Sequence, residues 1–173
     1  MIALVIVLRI VHILAGVFWA GATFSFARYI EPNATALGPD GMKFLQRLAA
    51  KTAYTHAMMG AGLATVVAGL ALMWIDSGGF KPAWMGSGMG IVLSVGMLTG
   101  LLAAVIGIVV AAVNAKRLGG IANAIEAQGA PPTAEQTAQI AMLKGRLTAG
   151  GRWAAVLLLV TVICMAAARY VAF

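Results

Sequence analysis

The chain has 173 residues, of which 62% are hydrophobic and 10% are charged, and its formal net charge is +7. An average soluble domain carries about 25% charged residues, so this composition excludes an ordinary soluble enzyme and predicts an integral membrane protein. The positive charge does not indicate nucleic-acid binding, because the basic residues lie at the ends of apolar stretches and not on one compact face with interleaved aromatic residues.

Four apolar stretches are each long enough to cross a hydrocarbon core of about 30 Å as a helix. Their continuous apolar runs lack the alternation that a transmembrane β-barrel requires. We therefore predict an all-α, polytopic membrane protein whose single domain is a four-transmembrane-helix bundle. Spans one to four are predicted at residues 2–29, 53–75, 84–113 and 153–171, with the longer connecting segments at 30–52 and 114–152.

The first apolar stretch has no positively charged start and is too long for a signal-peptide core, so we predict that it is retained as a span. The distribution of basic residues predicts its orientation, because cytoplasmic loops are enriched in lysine and arginine. We therefore expect a bacterial inner-membrane protein with both termini periplasmic and both longer segments cytoplasmic. Nine basic residues lie on the predicted cytoplasmic side and three on the other: Arg28, Lys43, Arg47, Lys51, Lys116, Arg117, Lys144, Arg146 and Arg152 against Arg9, Lys81 and Arg169.

Both predicted cytoplasmic segments have helical patterns. In the first, Asp40 is a plausible N-cap for an amphipathic helix over 41–52 that lies at the membrane interface. In the second, Gly129 is placed to end a helix, and Thr133 with Gln136 forms a capping-box pattern at the start of the next one. We therefore predict an extended cytoplasmic helical hairpin between spans three and four, although several glycines within it disfavour helix.

Span three is rich in glycine at a spacing of four residues. Small residues at this spacing usually allow close packing of helices, either within the chain or at a dimer seam. Close approach of a flat cofactor is the alternative interpretation. The glycines in question are Gly86, Gly90, Gly96 and Gly100.

His12 lies within span one, where a titratable ring costs free energy and is by default a candidate functional residue. If the helices are straight, Met97, Cys164 and Met165 lie near the same depth on the other spans. Imidazole with thioether or thiolate sulfur suits Cu(I), and a His or a His/Met pair suits haem iron. In the alternative interpretation, the methionines fill gaps in the core and His12 donates to a backbone carbonyl.

Four further residues are candidates near this site or near the opposite end of the membrane. Arg9, three residues before His12, is placed to meet a haem propionate or to reach the headgroups. Trp19 lies on the same helix face and is placed to pack against a bound ring. His56 and Met59 lie near the cytoplasmic end of span two and form a possible second soft-metal site, too far from His12 for one haem to join the two histidines.

The sequence lacks the motifs of several classes of active site. It contains no glycine-rich phosphate loop with a lysine, no CxxC or CxxCH motif and no HExxH motif. The interiors of the predicted spans contain no acidic residue, which argues against a carboxylate-driven proton relay. No inverted repeat or proline-broken span indicates a transporter.

The run Arg9-Ile-Val-His12, followed by Trp19 and Gly21 and by a basic helix that leads into a glycine-containing second span, resembles a group of bacterial membrane proteins. It is similar to the CopD type of copper-resistance protein and, more distantly, to HemJ-type protoporphyrinogen oxidases, over about the first 75 residues. The resemblance implies that His12 is a metal or haem ligand and that Trp19 packs beside it. HemJ-type proteins also use a lysine in a later span, and spans three and four have none in their interiors.

We therefore expect a small membrane protein that binds haem b or copper through His12, for electron transfer or metal handling. The alternative is a structural or accessory subunit without a cofactor, which associates with a second copy or a larger membrane complex through its glycine-rich third span.

Overall fold

The computed structural model describes residues 1–171, apart from the side chains of Ala50, Ala111 and Ala112, and every regular element in that part of the chain is helical. Within these residues, four helices are long and apolar enough to cross a membrane: Ile2–Ala36, Tyr54–Asp76, Gly88–Gln128 and Ala134–Tyr170. The prediction of an all-helical chain with four helices of spanning length is therefore confirmed.

The first long helix continues beyond the predicted end of span one. It consists of α1 (Ile2–Ser25), a π-helical turn (Phe26–Ile30) and α2 (Glu31–Ala36). In a regular α-helix, the ring of Pro32 would collide with the carbonyl group of residue 28. The widened turn directly before this proline allows the helix to continue past it.

The next helix folds back against α2. This helix, α3 (Pro39–Lys51), begins after Gly38, which has a φ of 63° and is the N-cap. The prediction that Asp40 is the N-cap was wrong, because Asp40 lies in the first turn and pairs with Lys43 at 3.1 Å. Gly41 is required here, since a Cβ atom at this position would overlap the carbonyl oxygen of Ala34.

The second and third spans are joined by a short connection on the opposite side. Helix α4 (Tyr54–Asp76) is followed by a turn and the four-residue helix α5 (Pro82–Met85). Helix α6 (Gly88–Ile106) begins four residues later than predicted, because Ser87 caps it by accepting a hydrogen bond from the Gly90 amide at 3.2 Å. A π-helical segment (Gly107–Ala112) then leads directly into α7 (Val113–Gln128).

The helical hairpin between spans three and four is present. Gly129, with a φ of 61°, follows α7, and α8 (Ala134–Ala167) begins with the predicted capping box. The Thr133 amide donates to Gln136 Oε1 at 2.8 Å, and the Gln136 amide donates to Thr133 Oγ1 at 3.2 Å. The 34 residues of α8 have a length of about 51 Å, so this helix is longer than a hydrocarbon core of about 30 Å. A short 3-10 helix (Ala168–Tyr170) follows it.

The long helices pack mainly as two neighbouring pairs, α1 with α4 and α6 with α8. Small buried residues such as Ala68, Ala103 and Ala154 line these contacts and allow the helices to approach closely. The two pairs meet through α1 and α8, and Thr148 of α8 donates a hydrogen bond to Glu31 at 2.7 Å.

A histidine-lined cavity between the four spans

Two large side chains of α1 rest on glycines of α4. A Cβ atom at Gly69 would lie 2.7 Å from Cε1 of His12, and a Cβ atom at Gly62 would lie 3.3 Å from Cε2 of Trp19. His12 and Trp19 are seven residues apart, as are Gly62 and Gly69, so each pair lies on one helix face, two turns apart. The two glycines therefore form recesses for the imidazole and the indole.

The imidazole of His12 is oriented by the main chain of α4. Its Nδ1 atom lies 2.8 Å from the carbonyl oxygen of Thr65. A carbonyl group only accepts, so Nδ1 is the protonated nitrogen, and in the neutral ring Nε2 carries the lone pair. Among the described residues Nε2 has no hydrogen-bond partner, and it remains accessible. The ring is thus fixed in one tautomer with a free basic nitrogen.

His12 lines a cavity of about 420 Å³ to which all four spans contribute. The cavity also brings together Trp19, Met97 and Met165, three of the residues that the sequence predicted beside a cofactor. Its walls are mainly apolar, and its volume is typical of a site for a small ligand. Cys164 is placed differently: it packs against Gly96 and does not contribute to the cavity wall.

Arg9 has a protein partner that the sequence did not reveal. Its guanidinium group lies 3.4 Å from the carboxylate of Asp76, and the two side chains are 57% and 30% exposed. Asp76 is the last residue of α4, one position beyond the predicted end of span two, and it also lines the cavity. An arginine within a predicted span requires a partner, and this requirement could have led to Asp76 from the sequence. One end of the cavity therefore carries an ion pair.

The second pair of predicted ligands lies elsewhere. His56 and Met59 are exposed on α4, and neither lines the cavity. Within the described part of the chain, no group of three or more His, Cys, Asp or Glu side chains is placed to hold a metal ion. Of the candidate ligands, His12, Met97 and Met165 therefore share the cavity, whereas Cys164, His56 and Met59 do not line it.

The glycines of span three contact other parts of the same chain. Gly96 and Gly100 are buried against Cys164 and Thr161 of α8, and the Thr99 and Thr161 hydroxyl groups are 2.8 Å apart. Gly90 lies against the Trp84 carbonyl group. Gly96 and Gly100 thus serve packing between α6 and α8, whereas Gly90 packs against α5.

This arrangement places a fixed imidazole and two thioether groups around one apolar space, a donor set that suits haem iron or a soft metal ion. No protein-family model matches the chain, and neither a curated protein nor a solved structure matches it. A function for the cavity is therefore inferred from its own geometry.

Proposed function

We propose that the protein binds haem b or a copper ion through His12 and serves electron transfer or metal handling in the bacterial inner membrane. The observation that carries this proposal is the free Nε2 atom of an imidazole whose Nδ1 is held at 2.8 Å by the Thr65 carbonyl group. Metal-ligating histidines commonly have such a hydrogen bond, which fixes the ring and increases the basicity of the ligating nitrogen.

The size and lining of the cavity favour haem over a lone ion. An apolar space of about 420 Å³ lies within the range of sites for organic ligands, whereas a copper ion requires several converging ligands. His12 would hold the iron, and Met97 or Met165 would be available as a thioether ligand. When bound, such a haem supplies one-electron redox chemistry.

The remaining residues of the site have supporting roles in this proposal. Trp19, held on Gly62, would pack against the flat face or edge of the group. Arg9, which pairs with Asp76 at one end of the cavity, would there also interact with a carboxylate of the bound group. The apolar walls would exclude water from the metal and thereby influence its redox potential.

We further propose that the four spans form one bundle in the membrane, with both termini periplasmic and the α7–α8 hairpin in the cytoplasm. The excess of basic residues in segments 30–52 and 114–152 supports this orientation. The alternative of a structural subunit that associates through span three has no support at Gly96 and Gly100, because both glycines contact α8 of the same chain.

An absorption spectrum and an elemental analysis of the freshly purified protein test the function. We expect a Soret band, or copper at a fixed stoichiometry, which is lost in His12→Ala because no other imidazole lines the cavity. His56→Ala is the matched control and should keep the full signal, since His56 is exposed and outside the cavity. A wild-type protein that contains neither haem nor copper, or a His12→Ala protein that retains them, would refute the proposal.

A further inference from the structure

The cavity wall includes side chains that also face the outside of the protein. Ile13 and Val17 of α1 are 58% and 68% exposed, and Val162 of α8 is 48% exposed, yet all three line the cavity. Large exposed side chains in the wall are concentrated on α1 and α8, whereas α4 contributes one such residue, Leu70. These exposed wall residues mark the side of the cavity between α1 and α8, and we call this part of the wall the window, framed by Ile13, Val17 and Val162.

The window lies at the depth of the hydrocarbon core. Ile13 and Val17 follow Arg9 by four and eight residues, which places them about 6 and 12 Å farther along the helix than the arginine. Arg9 pairs with Asp76 at the end of α4, where the chain leaves the span. The frame of the window is aliphatic, so it is continuous with the lipid-facing surface of the spans and offers nothing to retain headgroups or water.

Farther from Asp76, α1 and α8 close against each other. Leu158, one turn before Val162, is only 3% exposed, and Ala154 and Ala155 are also buried. The π-helical turn after α1 contacts α8, and the hydrogen bond between Glu31 and Thr148 joins the helices beyond it. On this side of the window α8 is therefore buried within the bundle, whereas Val162, one turn beyond Leu158, is exposed.

We infer that the window is the entrance of the cavity and that the ligand of the cavity is a lipid-soluble molecule that arrives through the bilayer. This inference rests on the proposed function only in taking the cavity beside His12 as the ligand site. An apolar molecule dissolved among acyl chains reaches the window without crossing water, because the walls and the frame are both apolar. A hydrated copper ion has no such route, so a lateral entrance selects haem from the two groups proposed above.

Photo-crosslinking with a lipid probe tests the entrance. The full chain with His12→Ala, whose cavity is free whatever His12 binds, is reconstituted in phosphatidylcholine vesicles that contain a phosphatidylcholine with a mid-chain diazirine. After irradiation, mass spectrometry identifies the labelled residues. We expect acyl chains on Leu72 and Leu158, which line the cavity and are buried, in addition to the lipid-facing Leu63 and Val67. Labels confined to Leu63 and Val67 would overturn the inference.

A substitution that blocks the window provides a second test. Val17→Trp should remove the labels on Leu72 and Leu158 and leave the label on Leu63, because an indole would obstruct the window beside Val162. Val7→Trp is the matched control on the same helix, since Val7 is exposed and does not line the cavity. Val162→Trp blocks the window from α8 if Val17→Trp does not fold. Labels on Leu72 that persist in both correctly folded variants would contradict entry by this route.

The outcomes separate the two proposals. A wild-type protein without haem or copper whose His12→Ala form is labelled on Leu72 and Leu158 would refute the proposed function and retain the lateral entrance. A wild-type protein with a Soret band whose His12→Ala form has no label on these residues would retain the function and refute the entrance.

Discussion

His12 was interpreted either as a ligand or as a donor to a backbone carbonyl group, and its ring has one nitrogen for each role. The Nδ1 atom donates to the Thr65 carbonyl group, as the structural interpretation expected, while Nε2 remains free, as a ligand requires. Such a hydrogen bond satisfies one polar group in an apolar environment and leaves the other available. The bond to the main chain is therefore compatible with ligation through Nε2.

Gly69 is the residue on which this geometry depends. In Gly69→Leu, the new side chain would overlap the His12 ring, because even a Cβ atom would lie 2.7 Å from Cε1. We expect a loss of about 1 to 3 kcal/mol of stability, as for other overpacked sites, together with the loss of any group that His12 binds. Thermal unfolding in detergent measures the first effect, and absorption measures the second.

Gly21→Leu is the control for this substitution. No atom lies within 4 Å of a Cβ atom at Gly21, so the same change in size has open space on the same helix that carries His12. Equal losses of stability in the two variants would show that the recess at Gly69 has no special role.

The sequence indicated the candidate ligands but not the groups that position them. His12, Trp19, Met97 and Met165 were predicted from residue chemistry and depth, and they line one cavity. The Thr65 carbonyl group, the recesses at Gly62 and Gly69 and the Asp76 carboxylate were not predicted. Each depends on the rotation and the register of α4 against α1, which are set by packing between helices and leave no local pattern in the chain.

At the level of the helices, local signals predicted boundaries well where a cap or a breaker is present. Thr133, Gln136 and Gly129 define the hairpin as expected. The prediction failed at Asp40, because the turn at Gly38, which has a positive φ, allows α3 to start two residues earlier. The helix that contains span one also continues beyond the predicted end of the span, since a widened turn before Pro32 keeps it continuous.

The capping box should determine the stability of the hairpin tip. Thr133→Ala removes the acceptor of the Gln136 amide, so we expect a local loss of about 1 kcal/mol and faster hydrogen exchange at that amide. Thr137→Ala, one turn later on the exposed surface, keeps the cap intact and is the control. Unchanged exchange at Gln136 in Thr133→Ala would contradict a stabilising role for the cap.

The contact between α6 and α8 depends on Gly96. A Cβ atom at this position would lie 2.9 Å from Cβ of Cys164, so Gly96→Leu should force the two helices apart and cost about 1 to 3 kcal/mol. Circular dichroism during heating measures the difference. Gly107→Leu has open space in the same long helix and should differ little from the wild type. A change in oligomeric state without a change in stability would instead indicate that Gly96 contacts a second copy.

At the level of the whole molecule, the number of spanning helices and the charge distribution together predict the topology. Four spans place both ends of the chain on the same side, and the basic residues assign the α7–α8 hairpin to the cytoplasm. A reporter enzyme that is active only in the periplasm should therefore be active when fused to the C-terminus. The same reporter inserted at Gly129 should be inactive, and activity at Gly129 would reverse the assignment.

The unbroken course of α8 has a mechanical consequence. This single helix contains Gln136 at the hairpin tip and Met165 in the cavity wall, 29 residues apart, a distance of about 43 Å. A hydrogen-bonded helix of this kind is stiff, so its hairpin end and the part that lines the cavity would move together. A contact made at the hairpin tip would thereby shift the cavity wall beside Val162.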